Sequence, residues 1–304
     1  MIVRPHQHWF RRLFSWRGAV LSKILFRLAL NLLMSIIAVI SLQWYETLGV
    51  HLTTAPFSLL GVAIAIFLGF RNSASYARFV EARTLWGTLL ITSRSLLRQA
   101  KGALRRDPAA VAEFTALLLA FSWALKHQLR GTDSSDDIRR LLPADRQDEI
   151  LGSPFRANRL LLSLGEWLAQ QRDRGAISDL LYNGIDHNLN TLSQVLGGCE
   201  RISNTPIPFA YSLILQRTVY LFCTLLPFAL VTDLHYMTPV VSMFISYTFL
   251  SLESLAEELE DPFGVDANDL PLNAICNTIE RTLCDMNNDR LPPSLKPDDR
   301  FNLI

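Results

Sequence analysis

Apolar residues gather along this chain in four runs, with charged residues returning between them. The first run, Leu28 to Tyr45, is dominated by Leu, Ile, Ala, Val and Met. As a helix it would cross roughly 27 Å of hydrocarbon. A cleavable signal peptide is the other reading, but the run begins late and has Gln43, Trp44 and Tyr45 where small residues would be needed for cleavage, so a retained span is expected. The second run, Pro56 to Phe70, covers only about 22 Å before Arg71 ends it. It either spans at a protein-lined place or dips partway. The third, Tyr211 to Val231, and the fourth, Met237 to Leu252, are joined by the short turn Thr232 to Tyr236 and predict a helical hairpin. Residues 71–210 keep a helical, Leu- and Ala-rich pattern without strand-like alternation. Breaks are expected at Asp107-Pro108, Gly131 to Asp137, Gly152-Ser153-Pro154 and Gly197-Gly198. The helices after Arg71 are expected to continue the membrane helices as one bundle, and the tail beyond Asp285, with Pro292-Pro293, should be irregular.

Charge decides which way the spans point. Arg4, Arg11, Arg12, Arg17, Lys23 and Arg27 precede the first run, and Arg71, Arg78, Arg83 and Arg94 follow the second. The connections Glu46 to Ala55 and Thr232 to Tyr236 contain no Lys or Arg. Basic residues are retained on the cytosolic side, so both termini are expected inside and both short connections outside. Trp44, Tyr45, Tyr211 and Tyr236 fall near span ends, as interfacial aromatics do. This divides the chain into residues 1–70 (arm and first two spans), 71–210 (cytosolic helices), 211–255 (last two spans) and 256–304 (acidic loop, helix and tail). Across the 304 residues, 29 basic side chains nearly balance 28 acidic ones, so no nucleic-acid partner is implied.

Catalytic chemistry finds no constellation. There is no HExxH, GxSxG, Walker or GxGxxG pattern, and His6, His8, His51, His127, His187 and His235 do not fall into ligand spacing. Cys199, Cys223, Cys276 and Cys284 lack zinc-site spacing, so reduced thiols and no cofactor are expected. Arg217, near the start of the third run, is read as a snorkelling charge, and Pro227 as a kink.

The second run is the most informative. Gly61, Ala65, Gly69, Ser73 and Ala77 recur every fourth residue, a stripe that permits close helix packing. Val62, Ile66 and Phe70 recur at the same spacing and form a second stripe. Spacing alone leaves two readings open: these side chains face lipid or the bundle interior, or they line an axis around which several copies meet.

From Phe67 to Gly87 the chain reads FLGFRNSASYARFVEARTLWG, and it carries NTPIP at Asn204 to Pro208 and ELEDPFG at Glu258 to Gly264. In this order, the three motifs resemble the bacterial branch of the bestrophin family. The resemblance implies an all-α integral membrane protein: four transmembrane helices per subunit continue into a cytosolic bundle, and a homopentamer encloses one axial pore in the bacterial inner membrane. It places a three-ring neck on Val62, Ile66 and Phe70. It also implies a second, cytosolic constriction, for which alignment suggests Leu180, with Ile177 and Leu181 as neighbouring apolar candidates. In eukaryotic relatives the acidic loop clasps calcium. Here Asp261, Asp266 and Asp269 match, but Val265, Ala267 and Asn268 interrupt the acidic run, so a solvated helix end with weak divalent binding at most is expected. Eukaryotic bestrophins conduct anions such as chloride. Asp179, beside the proposed lower constriction, and the prokaryotic relatives point instead to monovalent cations. The rival readings are an anion channel, a non-conducting membrane scaffold and a membrane enzyme.

Overall fold

The computed structural model describes residues 1–2, 20–42, 47, 53–298 and 301–303. The basic arm residues Arg4, Arg11, Arg12 and Arg17, the aromatic pair Trp44 and Tyr45, most of the first connection, and His6, His8 and His51 lie outside the described residues. Within them the regular structure is helical, apart from a single antiparallel bridge between Ile2 and Asn302.

Among the described residues ten α-helices follow one another: α1 (Leu21–Ile40), α2 (Thr54–Ala103), α3 (Pro108–Arg130), α4 (Ser135–Leu141), α5 (Ala144–Leu151), α6 (Arg156–Asp173), α7 (Asp179–Asn204), α8 (Phe209–Leu234), α9 (Thr238–Glu260) and α10 (Leu272–Asn287). The chain divides into two compact units. One gathers the described residues of 20–79 and 206–261; the other gathers 80–205 and 262–303 with residues 1–2.

In the first unit α1, α8 and α9 pack on one another. Ile24, Leu28, Ile64, Leu68, Val219, Phe222, Cys223, Leu226 and Leu250 form its apolar core. Phe222 and Phe249 meet edge to face, with ring centroids 5.3 Å apart. The expected hairpin is α8 and α9, joined through a 3₁₀ turn at His235–Met237. The first span begins at Leu21 rather than Leu28. Lys23 and Arg27 hid that start in the sequence, but they pair with Glu258 (3.0 Å) and Glu253 (3.2 Å) on α9. The second run does not stop at Arg71: α2 is one helix of 50 residues.

Pro227 lies inside α8 without interrupting it. A proline has no amide proton, so the carbonyl four residues earlier, that of Cys223, loses its helical donor. The Asn31 side chain supplies one, its Nδ2 donating to the Cys223 carbonyl at 2.6 Å. Asn31 Oδ1 in turn accepts from the Ser242 hydroxyl at 3.2 Å. A buried amide in an apolar span is thereby satisfied at both ends.

The second unit is built around α3, which packs against α6, α10, α4 and α7. Asp107 caps its start by accepting from the Ala110 amide at 3.0 Å, with Pro108 in the first turn, and Gly131 ends it with a left-handed φ of 61°. This helix is also long and apolar enough to cross a membrane. Its apolar window is, however, 67% buried within the chain, against 28% for the window of α1 and 17% for that of α2. Packed neighbours account for its apolar surface. Phe114 and Trp167 stack at 4.6 Å in this core. Buried Glu280 on α10 accepts from Arg140 at 2.5 and 3.0 Å and from the Trp123 indole at 2.8 Å. Burial pushes the Cys199 thiol up to about 12, so it stays protonated.

Two expected breaks differ. Gly197-Gly198 lies inside α7. A Cβ on Gly198 would meet both Leu85 methyls at 2.9 Å, so this glycine serves close packing and not a turn. The break at Gly131 to Asp137 ends early, with α4 beginning at Ser135. The tail is irregular from Asp289, yet it is tied to α10: Asn277 donates to the Pro293 carbonyl at 3.0 Å, and Arg281 to that of Pro292.

Candidate ion pathway

The α2 helix presents two chemically different faces in the spanning unit. Ile64, Leu68, Arg71 and Ser75, at four- and three-residue steps, form a buried seam, each at most 4% exposed. Val62, Ile66 and Phe70 are turned outward and are 60%, 53% and 64% exposed. Residues two apart on a helix lie about 160° from each other around its axis, which is why Ile64 and Ile66 have opposite environments. Three bulky apolar side chains one turn apart thus stand uncovered by their own chain. Of the small-residue stripe, Gly61 lies against Phe222, whose ring would sit 3.4 Å from an added Cβ; Ala65 is exposed and Gly69 has open space.

The second candidate constriction lies at the start of α7. Of its three apolar candidates Ile177 is buried, Leu181 half-exposed and Leu180 82% exposed. Ser178 caps the helix by accepting from the Leu181 amide, and Asp179 is exposed in the first turn. A carboxylate there also interacts favourably with the helix dipole. That local role reduces the weight Asp179 carries as a selectivity charge.

Several polar groups of the acidic loop are bonded within the protein. Asp269 is buried and its carboxylate accepts from the Asp266 amide at 2.7 Å. Arg130 donates to the carbonyls of Phe263 (3.2 Å) and Leu270 (3.3 Å) and to Asn273 Oδ1 (3.2 Å). A guanidinium thus bonds two backbone carbonyls of this turn. Asp261 is exposed at the end of α9. Among the described residues no group of three or more His, Cys, Asp or Glu side chains could hold a metal ion. Arg130 lies in a helix with no acidic pattern of its own, so spacing gave no hint of this role.

The sequence marks Arg71 only as the end of an apolar run. It is 4% exposed, and its Nη1 and Nη2 lie 3.6 Å from Glu253 Oε1 and Glu260 Oε2 respectively. Asn72 donates to the Leu252 carbonyl (3.1 Å) and Arg78 to that of Glu260 (3.1 Å). The repeated acids of α9 facing the repeated bases of α1 and α2 were the available signal.

The family described as Bacterial/Fungal Bestrophin protein matches residues 1–285. A relative from Escherichia coli K12, called voltage-dependent anion channel-forming protein YneE, is 58% identical over the full length of both chains. One from Ralstonia nicotianae, called voltage-dependent anion channel-forming protein RSc3414, is 47% identical over 94% of each chain. Among solved structures, a bacterial bestrophin homologue from Klebsiella pneumoniae is 66% identical, with a TM-score of 0.86 over 88% of this chain and 99% of that one. An all-helical fold, apolar helices of membrane-spanning length and these matches agree: the chain belongs to the bacterial and fungal bestrophins, a family of ion channels.

Proposed function

We propose that several copies of this chain, five by family resemblance, surround an axis in the bacterial inner membrane and form a passive pore. Val62, Ile66 and Phe70 make its apolar neck. The observation that carries this reading is the outward exposure of those three side chains, in line one turn apart, on a helix whose seam of Ile64, Leu68 and Arg71 is buried. Rings of Val, Ile and Phe offer no ligands to replace a hydration shell, so the neck controls flow by width and wetting. Ala65 and Gly69, open on the single chain, leave room for a neighbouring helix. Leu180 is the second constriction. The chain has no catalytic constellation, and its apolar stripe exceeds what an anchoring scaffold requires.

The permeant is an anion in this proposal. The relatives from E. coli and R. nicotianae are called anion channel-forming proteins. The cation reading rests on the resemblance to prokaryotic relatives and on Asp179, whose place in the first turn of α7 has a local electrostatic explanation. Reversal potentials of the purified protein in planar bilayers under a chloride gradient test this, and a potential following the cation gradient would restore the cation reading. Ile66→Ala and Phe70→Ala widen the neck and should raise unitary current, whereas Leu68→Ala should lower the yield of assembled protein. If conductance and open probability stay unchanged in both neck variants, the neck assignment fails.

Both termini and the α3 to α7 helices lie in the cytosol in this reading. Lys23 and Arg27, Arg71 and Arg78 flank the spans, while the connection Thr232 to Tyr236 has neither Lys nor Arg. Thr53→Cys should label from outside with an impermeant reagent and Arg140→Cys should not. Current should persist in calcium chelator, because Val265, Ala267 and Asn268 interrupt the acidic run and the Asp269 carboxylate and two carbonyls of the loop already bond within the protein.

A further inference from the structure

Above Arg71, the buried seam of α2 is apolar, with Ile64 and Leu68 packed among other apolar side chains. Such packing holds a helix in place but discriminates weakly between neighbouring rotations and heights, since lipid and apolar side chains are similar solvents. A buried charge discriminates strongly, because few positions offer it a partner. Arg71 is the one charged member of this seam. It directly follows Phe70 in the chain. Its Nε and Nη1 atoms are buried without a hydrogen-bond partner, and its nearest carboxylates, Glu253 and Glu260, each lie 3.6 Å away. These two acids are seven residues apart on α9, about two helical turns. Both have other bonds: Glu253 Oε2 accepts from Arg27 at 3.2 Å, and Glu260 Oε1 from the Ile207 amide at 3.2 Å.

We infer that Arg71 is the positioning residue of the neck: held between Glu253 and Glu260, it sets the height and rotation of α2 and so aims the Phe70 ring. The inference rests on the neck reading above. Nη1 faces Glu253 and Nη2 faces Glu260, and with the two acids about two turns apart a shift of Arg71 along α9 that shortens one contact lengthens the other, so the cluster offers α2 two settings. Neutralising one carboxylate favours the other setting.

Single-channel recording of purified Arg71→Gln, Arg71→Lys, Glu253→Gln and Glu260→Gln, with Phe70→Ala as reference, tests this. Arg71→Gln should change open probability by about threefold or more, with Arg71→Lys recovering much of the loss. Glu253→Gln and Glu260→Gln should shift open probability in opposite directions. Arg71→Gln combined with Glu253→Gln should change it by less than the sum of the two single changes, because they share one contact. If Arg71→Gln fails to assemble, the two carboxylate variants decide the matter alone. Unchanged open probability in assembled Arg71→Gln, or shifts of the same sign in the two carboxylate variants, overturns the inference while Phe70→Ala still raises conductance. If Phe70→Ala also leaves conductance unchanged, the neck reading has failed and this assignment falls with it.

Discussion

The two units bury charge in different ways. In the α3 unit, Glu280 is closed on by the two terminal nitrogens of one guanidinium and by an indole, all within 3.0 Å. Arg130 is likewise consumed by two carbonyls and an amide oxygen. In the spanning unit, Arg71 is as buried as Glu280, yet it stands 3.6 Å from each of two carboxylates with two of its nitrogens unbonded. Short, complete bonding defines a single arrangement and suits a scaffold. A charge held loosely between two partners leaves more than one arrangement within reach, which is what a moving part requires.

The largest expected effect breaks the scaffold. Arg140→Ala leaves the buried Glu280 carboxylate with only the Trp123 bond and, Arg140 itself being half-exposed, should cost about 2–3 kcal/mol. Chemical unfolding of the detergent-solubilised protein measures it. A loss no greater than that in Arg71→Gln would erase the distinction between the units. Next comes the satisfied carbonyl of the spanning unit. Asn31→Leu orphans the Cys223 carbonyl and should cost about 1–2 kcal/mol. Pro227→Ala in the same chain restores the helical donor and should recover most of that loss. Absence of this rescue would show that Asn31 serves something other than the proline gap.

The smallest effect concerns Asp133 in the α3 unit. Its carboxyl is held at about 2 by hydrogen bonds from Arg156 (2.5 Å) and from Ser135 (2.8 Å to the hydroxyl, 3.2 Å to the amide). A depressed carboxyl contributes stability fully above its ordinary value of 3.8 and loses it as pH falls through about 2. Asp133→Asn should therefore flatten the stability profile between those values and leave neutral pH nearly unchanged. Asp137 in the same unit is also held below its ordinary range: burial pushes it up, but bonds from His127 and Arg140 outweigh that push. Its slope should persist in Asp133→Asn.

Local signals were the legible ones. Asp107-Pro108 and the Thr232 to Tyr236 turn marked helix limits because capping chemistry and loss of apolar character lie within a few residues. Four-residue spacing separated Val62, Ile66 and Phe70 from Ile64 and Leu68, and all five environments follow that separation. What spacing could not reveal depends on residues distant in the chain. Gly198 reads as a breaker until Leu85 is seen against it. Lys23 and Arg27 look too polar for a span until Glu258 and Glu253 are placed beside them. Ile177 and Leu180 read alike in the sequence, and only burial sets their environments apart.

The bond from Asn31 to the Cys223 carbonyl makes two distant positions one heritable unit. A proline at the position of Pro227 creates a need that an amide at the position of Asn31 answers; without the proline, that amide becomes a polar group with less to do in hydrocarbon. Across the family the two sites should therefore change together, and a lineage that lost the proline first would be free to replace the asparagine with an apolar residue.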